Sequence, residues 1–120
     1  MAKSIPVPQQ QQAQAIIERF NREVLGAGQV RYAARFKGTY LYLDRRNSSR
    51  RPWGPICRLK FTGDASAWEL AIYKYSLCNY DPEETWFPGY DRFNGTIESA
   101  LSAGLEAYPP DWTPWSHART

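Results

Sequence analysis

The chain is poor in the residues that most often carry chemistry. Of 120 residues one is histidine and two are cysteine, and the histidine, His117, lies near the C-terminus. No CxxC or HxxxH spacing occurs, so no metal site is expected. Cys57 and Cys78 read as free thiols that pack as small hydrophobes in a reducing cytoplasm. The opening MAKSIPVPQQQQ has no apolar signal segment, and no run is long enough to span a membrane. We therefore expect a cytoplasmic protein with no membrane partner. The glycine pair of GAG at 26–28 follows a helical pattern rather than a strand, the wrong order for a dinucleotide fingerprint. No cofactor is expected. Ser48, Ser49 and Ser66 have no histidine near them in any motif, and Asp64, Glu69 and Lys74 do not stand at a nuclease spacing. Asp81, Glu83, Glu84 and Asp91 fit helix capping and solvated surface better than a cation site. No catalytic constellation emerges, and the expectation is a protein that is not an enzyme.

What is abundant is aromatic and cationic. Aromatic residues make up 15% of the chain, with five Trp and eight Tyr, a composition suited to flat rings packing on a pleated sheet and opposed to disorder of the main body. A chain of this length forms one domain and buries roughly 65% of its unfolded surface. The net charge of +3 is unevenly spread: residues 1–30 carry +1, residues 31–60 carry +8 and residues 61–120 carry −6. Such asymmetry between segments points to an anionic partner or to neutralisation within the chain.

Periodicity places the elements. Ala13, Ile17, Phe20 and Val24, with Ile16, share one face of a helix over roughly 9–25, with Pro8 in its first turn and Gly26 at its end. The period then falls to two. Tyr32, Ala34 and Phe36 alternate with Arg31, Ala33 and Arg35, and a turn at Lys37-Gly38 would pair Phe36 with Thr39, Arg35 with Tyr40, and Arg31 with Asp44. A loop rich in arginine, DRRNSSRRPWGP, leads to a third strand with Cys57, Leu59 and Phe61 inward and Arg58 and Lys60 outward. The fourth strand turns Trp68, Leu70 and Ile72 inward and Glu69, Ala71, Tyr73 and Tyr75 outward. Residues 80–95 read as a long connection with a helical turn starting at Asp81-Pro82. Thr96 caps a second helix that carries Ile97, Leu101, Leu105 and Tyr108 on one face and stops at Pro109-Pro110. The fold class is thus α+β: an antiparallel sheet of about four strands with two helices packed on one face, in the order α-β-β-β-β-α. Residues 1–8 form a flexible arm, 9–108 the domain, and 109–120 an extended tail with proline and tryptophan.

The alternation collects Arg31, Arg35, Tyr40, Tyr42, Arg58 and Lys60 on the outer sheet face, and the adjacent loop adds Arg45, Arg46, Arg50 and Arg51. Guanidinium groups bind phosphates and release counterions, and rings stack on unpaired bases. We expect a non-catalytic binding module with nucleic acid as its ligand at these ten residues. Cation–ring pairs are also ordinary cross-strand neighbours, and the same face could serve a protein partner or homo-oligomer. In that alternative Trp86, Phe87, Trp112 and Trp115 act as contact anchors.

The stretch from RRPW through PICRLKFTGDASAWELAIYKYS resembles part of a group of short uncharacterised bacterial proteins. There a leading helix precedes an arginine-rich hairpin and a strand pair ending in a Trp-x-Leu segment. The likeness covers about the middle half of the chain; it implies a bacterial intracellular setting and no activity. The helix–strands–helix order is also similar to that of the double-stranded-RNA-binding domain, but that family has a lysine cluster at the start of its second helix. Here TIESALSAGLEA has acids and no cation, so the family's RNA contacts do not carry over.

Overall fold

Two helices and five antiparallel strands follow in the order α1 (Val7–Glu23), β1 (Arg31–Lys37), β2 (Tyr40–Arg46), β3 (Gly54–Lys60), β4 (Glu69–Lys74), β5 (Asn79–Asp81) and α2 (Ile97–Ala107), with a short 3-10 turn at Tyr90–Arg92. The computed structural model describes residues 4–26, 30–46, 53–64, 66–83 and 87–109. The strands form one sheet in sequence order. The expected α+β architecture stands, with one short strand more than the alternation indicated. β5 leaves no turn signal in the sequence, since the four residues that reverse the chain, Tyr75 to Cys78, include neither glycine nor proline. The positive backbone angle this tight reversal requires falls on Cys78, at φ 51°.

Both helices lie over the inner face. Ala13, Ile17 and Phe20 of α1 and Ile97, Ala100 and Leu101 of α2 meet Tyr32, Leu41, Leu43, Cys57, Leu59 and Ile72 of the sheet in one core. The predicted first helix has its boundaries moved two residues toward the N-terminus. Val24, expected on the apolar face, lies beyond the last turn and is 59% exposed, and Leu25 packs against the core in its place. Residues 5–8, expected in a flexible arm, are held to the domain: α1 begins at Val7. Ile5 is buried, and its N–H donates to the Gly38 carbonyl at 3.0 Å, which ties the entry of α1 to the first hairpin. Asn21 closes part of the open edge of β1, accepting from the Tyr32 N–H (2.9 Å) and donating to the Tyr32 carbonyl (3.0 Å) as a neighbouring strand would. The predicted cap of α2 holds: Thr96 Oγ1 accepts from the Ser99 N–H at 3.2 Å.

The hairpin register differs from the expected one. Arg35 pairs with Tyr42, Phe36 with Leu41, Lys37 with Tyr40 and Arg31 with Arg46, so the turn residues are Gly38 and Thr39. Gly38 has φ 60°, the conformation that the first central position of a II′ turn demands and that glycine alone adopts cheaply. The correction moves every partner along by two residues. Because side chains alternate with a period of two, the faces stay as assigned while the cross-strand pairs change. It also extends β2 to Arg46, taking Arg45 and Arg46 out of the loop and into the sheet.

A bulge between β2 and β3 then sets the contact with α2. Leu43 pairs with Cys57 but Asp44 with Pro55, which leaves Ile56 as the extra residue. Ile56 is buried, and it lies where a Cβ on Gly104 of α2 would reach it.

Candidate nucleic-acid interface

Among the described residues no helix covers the outer face of the sheet, since both helices pack on the opposite side. Strand pairing puts two rows of side chains across its middle. One runs Arg35, Tyr42, Arg58, Ala71, and the next runs Lys37, Tyr40, Lys60, Glu69. Arg31 and Arg46 face each other at one end, and Tyr73 faces Tyr80 toward β5. Among the described residues six cations thus stand on this face, with Asp44 and Glu69 as its acids.

The rings form a continuous layer. Centroid distances are 6.1 Å for Tyr40–Tyr42, 5.4 Å for Tyr42–Tyr80, 5.0 Å for Tyr80–Tyr73 and 4.9 Å for Tyr73–Tyr75. The chain of contacts continues around the sheet end to Tyr108 at 5.5 Å. Most of these rings meet edge to face, the arrangement their quadrupoles favour. Guanidinium groups lie on them: Arg35 4.9 Å from the Tyr42 centroid, Arg58 4.5 Å from Tyr40 and 5.4 Å from Tyr80. The layer is close enough that Ala71, beside Arg58 on the same face, is only 4% exposed. Sequence reasoning missed Tyr80, whose strand it read as connection. The available signal was the pair of alternating tyrosines Tyr73 and Tyr80 on either side of a four-residue reversal.

The charge pattern survives folding. The hairpin's only acid, Asp44, takes Arg35 through two bonds, from Nε at 2.5 Å and from Nη2 at 3.2 Å. Of the acids of the second half, Glu69 stands on this face opposite Lys60, and three others pair away from it. Glu98 meets Arg19 of α1, Glu106 meets Arg92, and Asp81 meets Lys74. None of these reaches the arginines of residues 31–60. Arg46 lies 5.3 Å from the exposed ring of Trp53, and its Nε is buried without a partner. Arg31 donates to its neighbour's carbonyl, Val30, at 2.7 Å.

Arg45 is the correction. Grouped by sequence with the surface arginines, it points inward and is 2% exposed. Its guanidinium contacts the Tyr32 hydroxyl and the Gly104 carbonyl, each at 3.3 Å, and the Tyr108 carbonyl. A surface ligand cannot reach it. The extended β2 is the reason: each added strand residue alternates sides, so Arg46 emerges and Arg45 does not. Phe87, expected as a partner anchor, packs against this chain's own core and against the Tyr90 ring at 5.4 Å. Arg50, Arg51, Trp86, Trp112 and Trp115 lie outside the described residues. Among the described residues no three His, Cys, Asp or Glu side chains gather as a metal site would need, and no helix is long and apolar enough to cross a membrane.

Burial of hydroxyls and a thiol makes the fold sensitive to alkali. Desolvation, with Asp44 as a second cause, pushes Tyr80 up to about 12, while Arg35 opposes the shift. Desolvation also lifts Tyr75 to about 12 and Cys57 to about 12, and it raises Tyr32. Each group keeps its proton longer folded than unfolded. Their contributions are complete below the unfolded values, near 8.5 for Cys and 10 for Tyr, and are lost as pH rises toward 12. The expected result is an unfolding midpoint in urea that falls steeply above about pH 10, with tyrosinate absorbance appearing together with loss of the far-ultraviolet dichroism. Full tyrosine ionisation in a folded protein would contradict this assignment.

Compared with protein-family models, with curated proteins and with solved structures, the chain matches none.

Proposed function

We propose that this protein is a non-catalytic binding module whose open sheet face takes nucleic acid. The observation that carries the reading is the excess of positive charge: Arg31, Arg35, Lys37, Arg46, Arg58 and Lys60 surround a tyrosine layer that no helix covers among the described residues, against Asp44 and Glu69 on the same face, while Asp81, Glu98 and Glu106 pair away from it. A positive face of this kind draws a polyanion by counterion release. A cytoplasmic bacterial setting belongs to the same proposal. The alternative, an assembly subunit that uses this face and an aromatic tail, depends on Trp112 and Trp115, which lie outside the described residues.

The test is fluorescence anisotropy with a labelled single strand of about twenty nucleotides. Contacts to about four phosphates give an affinity that falls about fifty-fold between about 50 and about 200 mM salt. The double variant Lys37→Gln, Lys60→Gln touches two exposed side chains, sets no second acid opposite Glu69, and is expected to lower the salt slope by about 1.4 with an unchanged melting temperature. Binding that is absent at low salt, or indifferent to salt and to the double variant, overturns the proposal.

A further inference from the structure

We infer that this face holds the phosphates of its nucleic acid rather than the bases, and that Arg58 is the residue that grips them. The inference rests on the nucleic-acid reading above and narrows it to one kind of contact.

Arg58 lies on β3, the central strand, in the middle of the exposed face. Its guanidinium carbon is 4.5 Å from the Tyr40 centroid and 5.4 Å from the Tyr80 centroid. Among the described residues these two rings are its cation–ring partners, and no hydrogen-bond acceptor or carboxylate answers its N–H groups. A guanidinium has five donors in a fixed fork. Rings this close displace water from the guanidinium without using its N–H groups, and phosphate matches the fork of those groups through two oxygens. Arg35 provides the contrast within the same row. It too lies over a ring, Tyr42, but Nε and Nη2 are already committed to Asp44. One guanidinium of the row is satisfied from inside the chain, and its equivalent two strands away is not.

The rings themselves argue against base stacking. A base needs a free ring face. Cations lie on Tyr40, Tyr42 and Tyr80, and the neighbouring rings meet at interplanar angles of 60° for Tyr42–Tyr80 and 76° for Tyr73–Tyr80. The tyrosines act as pedestals that desolvate and orient guanidiniums. Lys60 follows two residues along the same strand, about 7 Å away by strand geometry, and is exposed to take a neighbouring phosphate.

The test compares two labelled probes of equal length at low salt: a thymidine oligonucleotide and its abasic counterpart, which keeps every phosphate and has no bases. The expected result is affinities within about threefold of each other. Arg58→Lys, which keeps the charge and loses the fork, is expected to weaken both probes about tenfold with the salt slope retained. Lys60→Gln, which leaves the rings alone, lowers the slope by about 0.7. An abasic probe bound more than about thirtyfold more weakly than the thymidine probe shows stacking of two or more bases and overturns the inference, while the nucleic-acid reading stands. If neither probe binds, the nucleic-acid reading falls and this inference falls with it. The comparison of probes on the unaltered protein remains decisive even where Arg58→Lys lowers stability.

Discussion

Arg45→Met is expected to destabilise the protein by about 3–4 kcal/mol, a fall in melting temperature of about 12–16 °C. The arginine stands where α2 ends. That helix has no basic residue in its last turn, and its terminal carbonyls need donors. Arg45 reaches across from β2 and donates to Gly104 and Tyr108, and its positive charge sits at the negative end of the helix dipole. It also bonds the hydroxyl of Tyr32, which donates in turn to the Leu101 carbonyl at 2.8 Å. An apolar replacement of similar length fills the space but leaves carbonyl oxygens that no substitution can make apolar. Buried ion pairs can often be exchanged for hydrophobes at little cost because both partners go; here the acceptors belong to the backbone and stay. Arg45→Lys is expected to recover less than half of the loss, since one ammonium cannot span two carbonyls and a hydroxyl with the geometry of the fork. Thermal melts of the three proteins decide it. A methionine variant within about 1 kcal/mol of the parent would mean that the guanidinium does not hold the end of α2.

Gly104→Val is expected to cost about 3 kcal/mol, and the alanine variant tests the reason. Glycine within a helix is normally a defect, and alanine there gains about 1 kcal/mol. At Gly104 the sign reverses. A Cβ would lie 2.5 Å from the Tyr32 hydroxyl oxygen and 2.7 Å from Ile56 Cγ2. The tyrosine cannot swing aside without breaking its bonds to Leu101 and Arg45, and Ile56 is fixed by the bulge of β3. Gly104→Ala is therefore expected to destabilise by about 1 kcal/mol net. The extra methyl groups of valine drive α2 away from β3 at the further cost typical of overpacked cores. Urea unfolding measures both. A stabilised alanine variant would show that close approach to the sheet is not what requires glycine at this position.

These two positions also show where the sequence stops being informative. The helical spacing of Ala13, Ile17 and Phe20, the Thr96 cap, and the alternation in the third and fourth strands each state their element through neighbours a few residues away. All of them appear in the structure. The outer face was legible for the same reason, since a period of two survives an error of two residues in register. Arg45 was not legible: its neighbours Arg46, Arg50 and Arg51 give no sign that one of the group turns inward. Its side is set only because β2 continues past Asp44: with the turn at Lys37-Gly38 the pairing ends at Arg31 and Asp44 and leaves Arg45 in the loop, whereas the turn at Gly38-Thr39 keeps it in the strand, on the same side as Leu43. Gly104 gives still less warning, because its constraint comes from Tyr32 and Ile56, far away in sequence.

The two helices and first four strands in their order, the sign of each segment's charge and the faces of those strands up to Asp44 follow from the amino-acid sequence alone, because they arise from local periodicity and composition. The tertiary structure alone decided which arginines remain on the surface. Arg45 is used up on the end of α2, Arg35 is neutralised by Asp44, and Arg58 is left with two rings beside it and no acidic partner among the described residues. Those fates depend on distances between segments remote in sequence, and such distances exist only once the strands have paired and the helices have docked.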